Sequence, residues 1–480
     1  MRLHSTRVFA ALAAVVTACA PMVDEPDATD AQSASDSAAR DGSTAETSVD
    51  SSLIEDSATT VDASSLDSAP DVSTQRDAAP DAMSAPSGPS IYPTDRTQSP
   101  ITESVQRSMR AILARGMALD NTFAKVGDSQ TVYESAFMVC FAGTSVNLSG
   151  RTELQPTIDH FRAGRIAGVT PYERRSLAAV VGWSSGAPLS GAPAPLDQEL
   201  AAANPRFTVV MYGSNDSQLR NLPIYGENLW EIASRAIARG SIPIFTSPPP
   251  RGDNMTADQW IPWYSHVARA VAQAEQVPFI DLERELRPLP NFGLTTADNL
   301  HLNRSSRGAC SFTMADLQFG QNRRNLLTIQ SLDRARSALA AGAMPLDAPT
   351  PSNTGAGTVA DPIAITGLPF ADRRDTSRGG SMAFDRYNCS TANEGGREFV
   401  YRLVLAAPTR VHALVLDRGT VDVDLHRLTA PNAMSCAARD DRQLVADLPA
   451  GTHYFVVDSF IPAGGAAREG DYIFVAFRAQ

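Results

Sequence analysis

The sequence predicts an α/β domain with a parallel sheet covered by helices on both faces, followed by a separate all-β sandwich. Three observations carry this. Between about residues 100 and 342, short apolar runs alternate with stretches of helical periodicity, as successive strand–helix units do. Residues 343–360, AMPLDAPTPSNTGAGTVA, form a Pro/Gly/Thr-rich linker. Beyond it, over 361–480, the runs EFVYRLVL, RVHALVLD, HYFVVDSF and DYIFVAFR are β-branched or aromatic and are separated by turn residues, the texture of a sandwich.

The N-terminus is built differently. Arg2 and Arg7 precede an apolar run, Val8 to Ala18, too short for a permanent membrane span. Its end, Val16-Thr17-Ala18-Cys19, resembles a bacterial lipobox. Residues 1–19 then read as a lipoprotein signal peptide. The resemblance implies lipidation at Cys19, a lipid anchor in the membrane, and an exported protein at the outer membrane or cell surface. Residues 20–98 are Ser, Ala, Asp and Thr with almost no aromatics, and read as a disordered acidic linker. That segment holds 16 acidic residues against 3 Arg, so most of the net charge of −12 belongs to it and the rest of the chain is close to neutral. This balance argues against nucleic acid as a partner.

The α/β domain is placed at 99–342. SVQRSMRAILARGMAL opens it with helical spacing. Strands are expected at Phe123–Val126, Leu177–Gly182, Phe207–Tyr212, Ile242–Thr246 and Phe279–Leu282, with helices at NLWEIASRAIARG, WYSHVARAVAQAEQ and RRNLLTIQSLDRARSALA. In such a sheet the chemistry sits beyond the C-terminal strand ends. GWSSG, residues 182–186, fits the G-x-S-x-G elbow, but prolines 188, 193 and 195 deny Ser184 the helix that an elbow needs behind it. The first strand delivers a different serine, Ser129, on the turn Gly127-Asp128-Ser129. The third ends in Gly213-Ser214-Asn215-Asp216, where the Asn215 amide can donate to an oxyanion. On a loop after the last strand stands Asp298-Asn299-Leu300-His301, a carboxylate spaced to hold one imidazole nitrogen and leave the other free to take a proton.

The order GDS, a middle glycine, GSND and DNLH on successive strand exits resembles the four blocks of the SGNH/GDSL hydrolases, over roughly residues 120–340. The resemblance implies a three-layer flavodoxin-like sandwich and a serine esterase or lipase. In it Ser129 is the nucleophile, His301 the general base and acid, and Asp298 its orienter. The backbone N–H of Ser129, the N–H of Gly186 (Gly182 in second place) and Asn215 form the oxyanion hole. The expected substrate is a carboxylic ester, with an acylated polysaccharide or a lipid as carrier. No cofactor and no metal are expected. The leucine common after Gly-Asp-Ser is Gln130 here. The alternative is a non-catalytic surface binding protein on the same scaffold.

Without Cys19 four cysteines remain, an even set for an oxidising compartment. If Ser129 and His301 meet, Cys140 and Cys310 follow them into one neighbourhood and a bridge between them is plausible, leaving Cys389 with Cys436. The C-terminal region resembles the bacterial pre-peptidase C-terminal type of β-sandwich. Asp422 and Asp424 could join a calcium site, but alternating Asp on a strand reads more simply as its solvated face.

Overall fold

The structure, a computed structural model, describes residues 88–479. The signal segment, Cys19 and the acidic stretch up to residue 87 lie outside the described residues. Residues 88–98, assigned by composition to the linker, lie against the α/β domain: Tyr92 is buried, donates its backbone N–H to Gln273 Oε1 at 2.8 Å and donates its hydroxyl to the Val277 carbonyl at 2.8 Å. The Tyr92 side chain gives this stretch a buried aromatic anchor.

Four parallel strands, β1 (Leu119–Gly127), β2 (Pro205–Met211), β3 (Ile242–Thr246) and β4 (Phe279–Ile280), lie side by side in that order. Every residue of β3, and β2 from Phe207 to Met211, is buried, so both faces of the sheet are covered. The expected strand at Leu177–Gly182 is reduced to one parallel bridge, Ala179 to Gly127. Leu177, Val180 and Val181 are exposed, and an edge segment without cover on one side gains little from a full ladder. Counted with that bridge, the spatial order is the 2-1-3-4-5 of flavodoxin-like sheets, whose crevice opens at the C-terminal end of the first strand.

The helices are α1 (Glu103–Leu113), α2 (Gln155–Ala163), α3 (Pro195–Ala203), α4 (Asp216–Leu219), α5 (Leu222–Ala238), α6 (Met255–Asp258), α7 (Ile261–Glu275), α8 (Leu282–Leu286) and α9 (Gly320–Ala338). α3, α5 and α7 pack as one group, and α2, α8 and α9 as another. The Cys140–Cys310 disulfide ties the segment after β1 to the segment before α9. Beside it, Asn147 N–H donates to the Cys310 carbonyl at 3.0 Å and Phe312 N–H to the Asn147 carbonyl at 2.9 Å.

The C-terminal region forms two antiparallel sheets. One runs β10 (Cys436–Asp440), β9 (Val423–Leu428), β12 (Gly451–Ser459), β7 (Glu398–Leu405), β5 (Ile363–Ile365); the other runs β11 (Gln443–Leu448), β8 (Thr409–Leu416), β13 (Asp471–Arg478), β6 (Phe370–Asp375). β5 alone is parallel to its neighbour. The Cys389–Cys436 disulfide closes this region. Its second sheet has no solvated face over β8 and β13. Val411, Ala413 and Val415 point into the sandwich core, while Leu414 and Leu416, one residue out of phase, join the core of the α/β domain with Ile473, Val475 and Phe477. Leu416 fills the space over Gly226 of α5, where an added Cβ would come within 2.6 Å of its methyl. Arg418 stacks on Trp230 at 3.8 Å, and Arg442 pairs with Glu227 at 2.7 Å. The sandwich has its own sheets and core, yet it is cemented to α5 and α7.

Candidate active site

Ser129 follows β1 directly, and Gly127 is what lets the chain turn there. A Cβ at 127 would lie 2.7 Å from the Met211 carbonyl oxygen on the neighbouring strand. Asp128 points inward, fully buried, and accepts from Gln130 N–H at 3.0 Å. Burial pushes its carboxyl up to about 6, against the pull of that bond and of the Arg324 charge.

Asp298 begins a tight turn and accepts the backbone N–H groups of Leu300 at 2.9 Å and His301 at 3.0 Å on Oδ1. Asn299 takes the left-handed conformation that this turn requires. The other oxygen, Oδ2, lies 2.7 Å from His301 Nδ1. Partial burial raises the Asp298 carboxyl, but the bonds from His301 and Leu300 together outweigh it and hold it below the usual range, so it stays a carboxylate. His301 Nε2 then lies 2.9 Å from Ser129 Oγ. The three residues form one hydrogen-bonded chain although 172 positions separate the hydroxyl from the imidazole.

The groups expected at an oxyanion hole sit on the two adjoining loops. Asn215 donates to the Trp183 carbonyl at 2.8 Å, which occupies one of its two amide hydrogens and leaves the second. The loop 182–186 is fixed by Asp216, which accepts from Ser185 N–H at 3.0 Å and Ser185 Oγ at 2.6 Å. Asn228 on α5 donates to the same Ser185 hydroxyl at 3.1 Å. Gly186 follows, with Asn228 Nδ2 only 3.2 Å from where a Cβ would stand. Gly213 adopts φ +128°, and a Cβ there would meet Pro248 at 2.7 Å, so this position is closed to other residues. Among the described residues the Ser184 hydroxyl bonds to no base, and its carbonyl accepts from Ala187 N–H at 3.1 Å in a short turn.

An open cleft of about 590 Å³ lies beside Ser129 and His301, walled by Val132, Val181 and Leu302 with Glu134 and Arg304 among its polar residues. Gly186 and Asn215 are not part of that wall. The sequence reading named Asp216 only as part of a turn and passed over Ser185 and Arg324. The side-chain pairing that gives them a role joins loops far apart in the chain, and no local signal marks it.

Residues 141–305 match the model of the GDSL-like lipase/acylhydrolase family. Over those residues the chain is similar to GDSL-like acylhydrolases. It is a hydrolase acting on esters. The matched segment holds Asn215, Asp298 and His301 and begins after Ser129. A comparison with curated proteins found no match. Among solved structures, the chain is similar to an acetylxylan esterase from Geobacillus stearothermophilus, at 13% identity and TM-score 0.30, over 45% of this chain and 94% of that one. A GDSL-like lipase from Bacteroides thetaiotaomicron gives 15% identity and TM-score 0.29, over 48% and 98%. The pre-peptidase C-terminal domain of a collagenase from Bacillus anthracis gives 14% identity and TM-score 0.17, over 24% and 91%.

The expected solvated face of the sandwich is corrected in part. Asp422 is half-buried and pairs with Arg468 at 2.8 Å, but Asp424 is buried and pairs with Arg439 at 2.6 Å. Arg439 supplies the positive charge that a calcium ion would, so these residues do not make an open cation site.

Proposed function

We propose that Ser129 attacks the carbonyl of a carboxylic ester while His301 takes its proton. The observation that carries this is the unbroken chain from Ser129 Oγ through the imidazole to the Asp298 carboxylate, at 2.9 Å and 2.7 Å. Asp298 fixes the tautomer with hydrogen on Nδ1 and stabilises the imidazolium as it forms. The tetrahedral oxyanion is received by the Ser129 N–H, the Gly186 N–H and the free amide hydrogen of Asn215. His301 then returns its proton to the leaving alkoxide, an acyl-Ser129 intermediate forms, and water clears it by the same route reversed.

The cleft is open to solvent and the His301 side chain is 38% exposed. An open site of this kind suits a short acyl group, acetyl included, carried on a large molecule such as an acylated polysaccharide or a lipid. Lipidation at Cys19 and a place at the outer membrane or cell surface complete the reading. They are tested separately, by incorporation of labelled palmitate into the parent protein and its absence in Cys19→Ser.

The esterase reading is tested with p-nitrophenyl esters of increasing chain length and with a fluorophosphonate probe. The parent protein hydrolyses acetyl esters fastest and is labelled at Ser129, and Ser129→Ala does neither. Equal turnover by parent and Ser129→Ala would falsify the assignment, and leave the surface binding protein as the reading of the scaffold.

A further inference from the structure

Besides the Ser129–His301 contact itself, the described residues contain two hydrogen bonds between the nucleophile turn and the His301 loop. Both are made by Gln130. Its Nε2 donates to the Leu300 carbonyl at 2.7 Å, and its Oε1 accepts from Leu302 N–H at 3.2 Å. One amide thus grips the peptide groups on either side of the imidazole-bearing residue. Among the other backbone bonds of that loop, Thr295 N–H to the His301 carbonyl at 2.7 Å and Asn303 N–H to the Gly293 carbonyl at 2.9 Å tie it to itself, and Gln321 N–H to the Asn303 carbonyl at 2.9 Å ties it to α9; none reaches the nucleophile turn.

The grip has a rigid base. Gln130 is buried, and its carbonyl accepts from Arg324 at 2.5 Å and from the Ser135 hydroxyl at 2.8 Å. Arg324, itself buried, also donates to the Thr131 hydroxyl at 3.0 Å and lies 3.7 Å over the Phe137 ring. Helix α9 therefore holds the backbone at 130, and the side chain at 130 holds the loop at 301.

We infer that Gln130 is a positioning residue that sets the distance between His301 Nε2 and Ser129 Oγ. The inference rests on the esterase reading above. Its side chain needs one donor and one acceptor at fixed separation, and an apolar residue of the same length supplies neither. Proton transfer is sensitive to such placement, and a shift of about 1 Å costs on the order of 10²-fold in rate.

Two variants test this against short p-nitrophenyl esters and the fluorophosphonate probe, alongside the parent and Ser129→Ala. Gln130→Met keeps length and burial but removes both bonds. It is expected to lower kcat and the labelling rate about 10–100-fold with KM within about twofold of the parent. Gln130→Glu restores the grip only while protonated, since the acid form donates to Leu300 and accepts from Leu302. Its kcat relative to the parent should fall as pH rises, whereas a purely structural defect would not follow protonation of residue 130. A Gln130→Met protein as fast as the parent overturns the inference. If that variant does not fold, a Gln130→Glu protein whose kcat tracks the parent at every pH overturns it instead. Failure of the esterase reading looks different: the parent itself is then neither labelled nor active.

Discussion

Among the described residues three histidines stand beside a carboxylate, His160 by Asp120, His301 by Asp298 and His426 by Glu394, and the last two make the sharpest contrast. His301 lies on a loop at the sheet's C-terminal edge, 38% exposed, with Asp298 at 2.7 Å on one nitrogen and Ser129 at 2.9 Å on the other. His426 lies inside the sandwich, fully buried, with Glu394 at 3.7 Å and the ring of Tyr387 stacked at 3.7 Å. Burial, and then the Arg439 charge, hold His426 down to about 3. It cannot accept a proton near neutrality, because the cation would have no water around it. A His–carboxylate pair becomes a base where the cation it forms is solvated and a nucleophile is in reach. Inside a β-sandwich the same pair is packing.

The largest break in this comparison comes from exchanging the two sites' variants. His301→Gln should lower kcat on the order of 10⁴-fold or more while the melting temperature stays near that of the parent. His426→Phe, which keeps a stacked ring, should leave kcat within about twofold, and a large loss of activity there would show that the sandwich interior reaches the chemistry. Asp298→Asn comes next, at about 10²–10⁴-fold in kcat, because the amide no longer fixes the tautomer or stabilises the imidazolium. Asn215→Ala should cost about 10²–10³-fold in kcat with little change in KM, as expected for a donor that matters most when charge develops.

The smallest effect is on stability. Folded His426 stays neutral until about 3, whereas an unfolded histidine takes up a proton near 6.5. Its contribution is present above 6.5 and is lost as pH falls toward 3, since the unfolded state then binds more protons. The melting temperature of His426→Phe should fall less than the parent's over that acid range. Glu394 has the opposite sign: burial, and then the Asp424 carboxylate beside it, raise it, so its cost grows as pH rises. The melting-temperature advantage of Glu394→Gln over the parent should grow as pH rises from about 4.5 to about 9.

Much of the site was legible because its signals are local. Gly-Asp-Ser ends an apolar strand, and Asp298 reaches His301 within one turn, so each can be recognised from a few neighbours. The strands β7, β8 and β13 were legible for the same reason, as unbroken runs of β-formers. The segment 177–182 misled because its composition is that of a strand, while whether it pairs depends on the cover available at the sheet edge. The second sheet of the sandwich misled in another way. Leu414, Leu416, Ile473, Val475 and Phe477 are indistinguishable in sequence from ordinary strand residues, and only α5 and α7 lying over them explain why both faces are apolar.

By itself, then, the sequence determined the two kinds of sheet, the strand exits that bear the hydroxyl, amide and imidazole, and the carboxylate that orients the imidazole. These depend on residue type and on spacing within a few positions. Only the tertiary structure decided that Gln130 grips the His301 loop, that Asp216 braces the loop of Ser185, and that one histidine is open while the other is sealed. Those outcomes depend on burial and on partners brought from distant parts of the chain, and a linear pattern encodes neither.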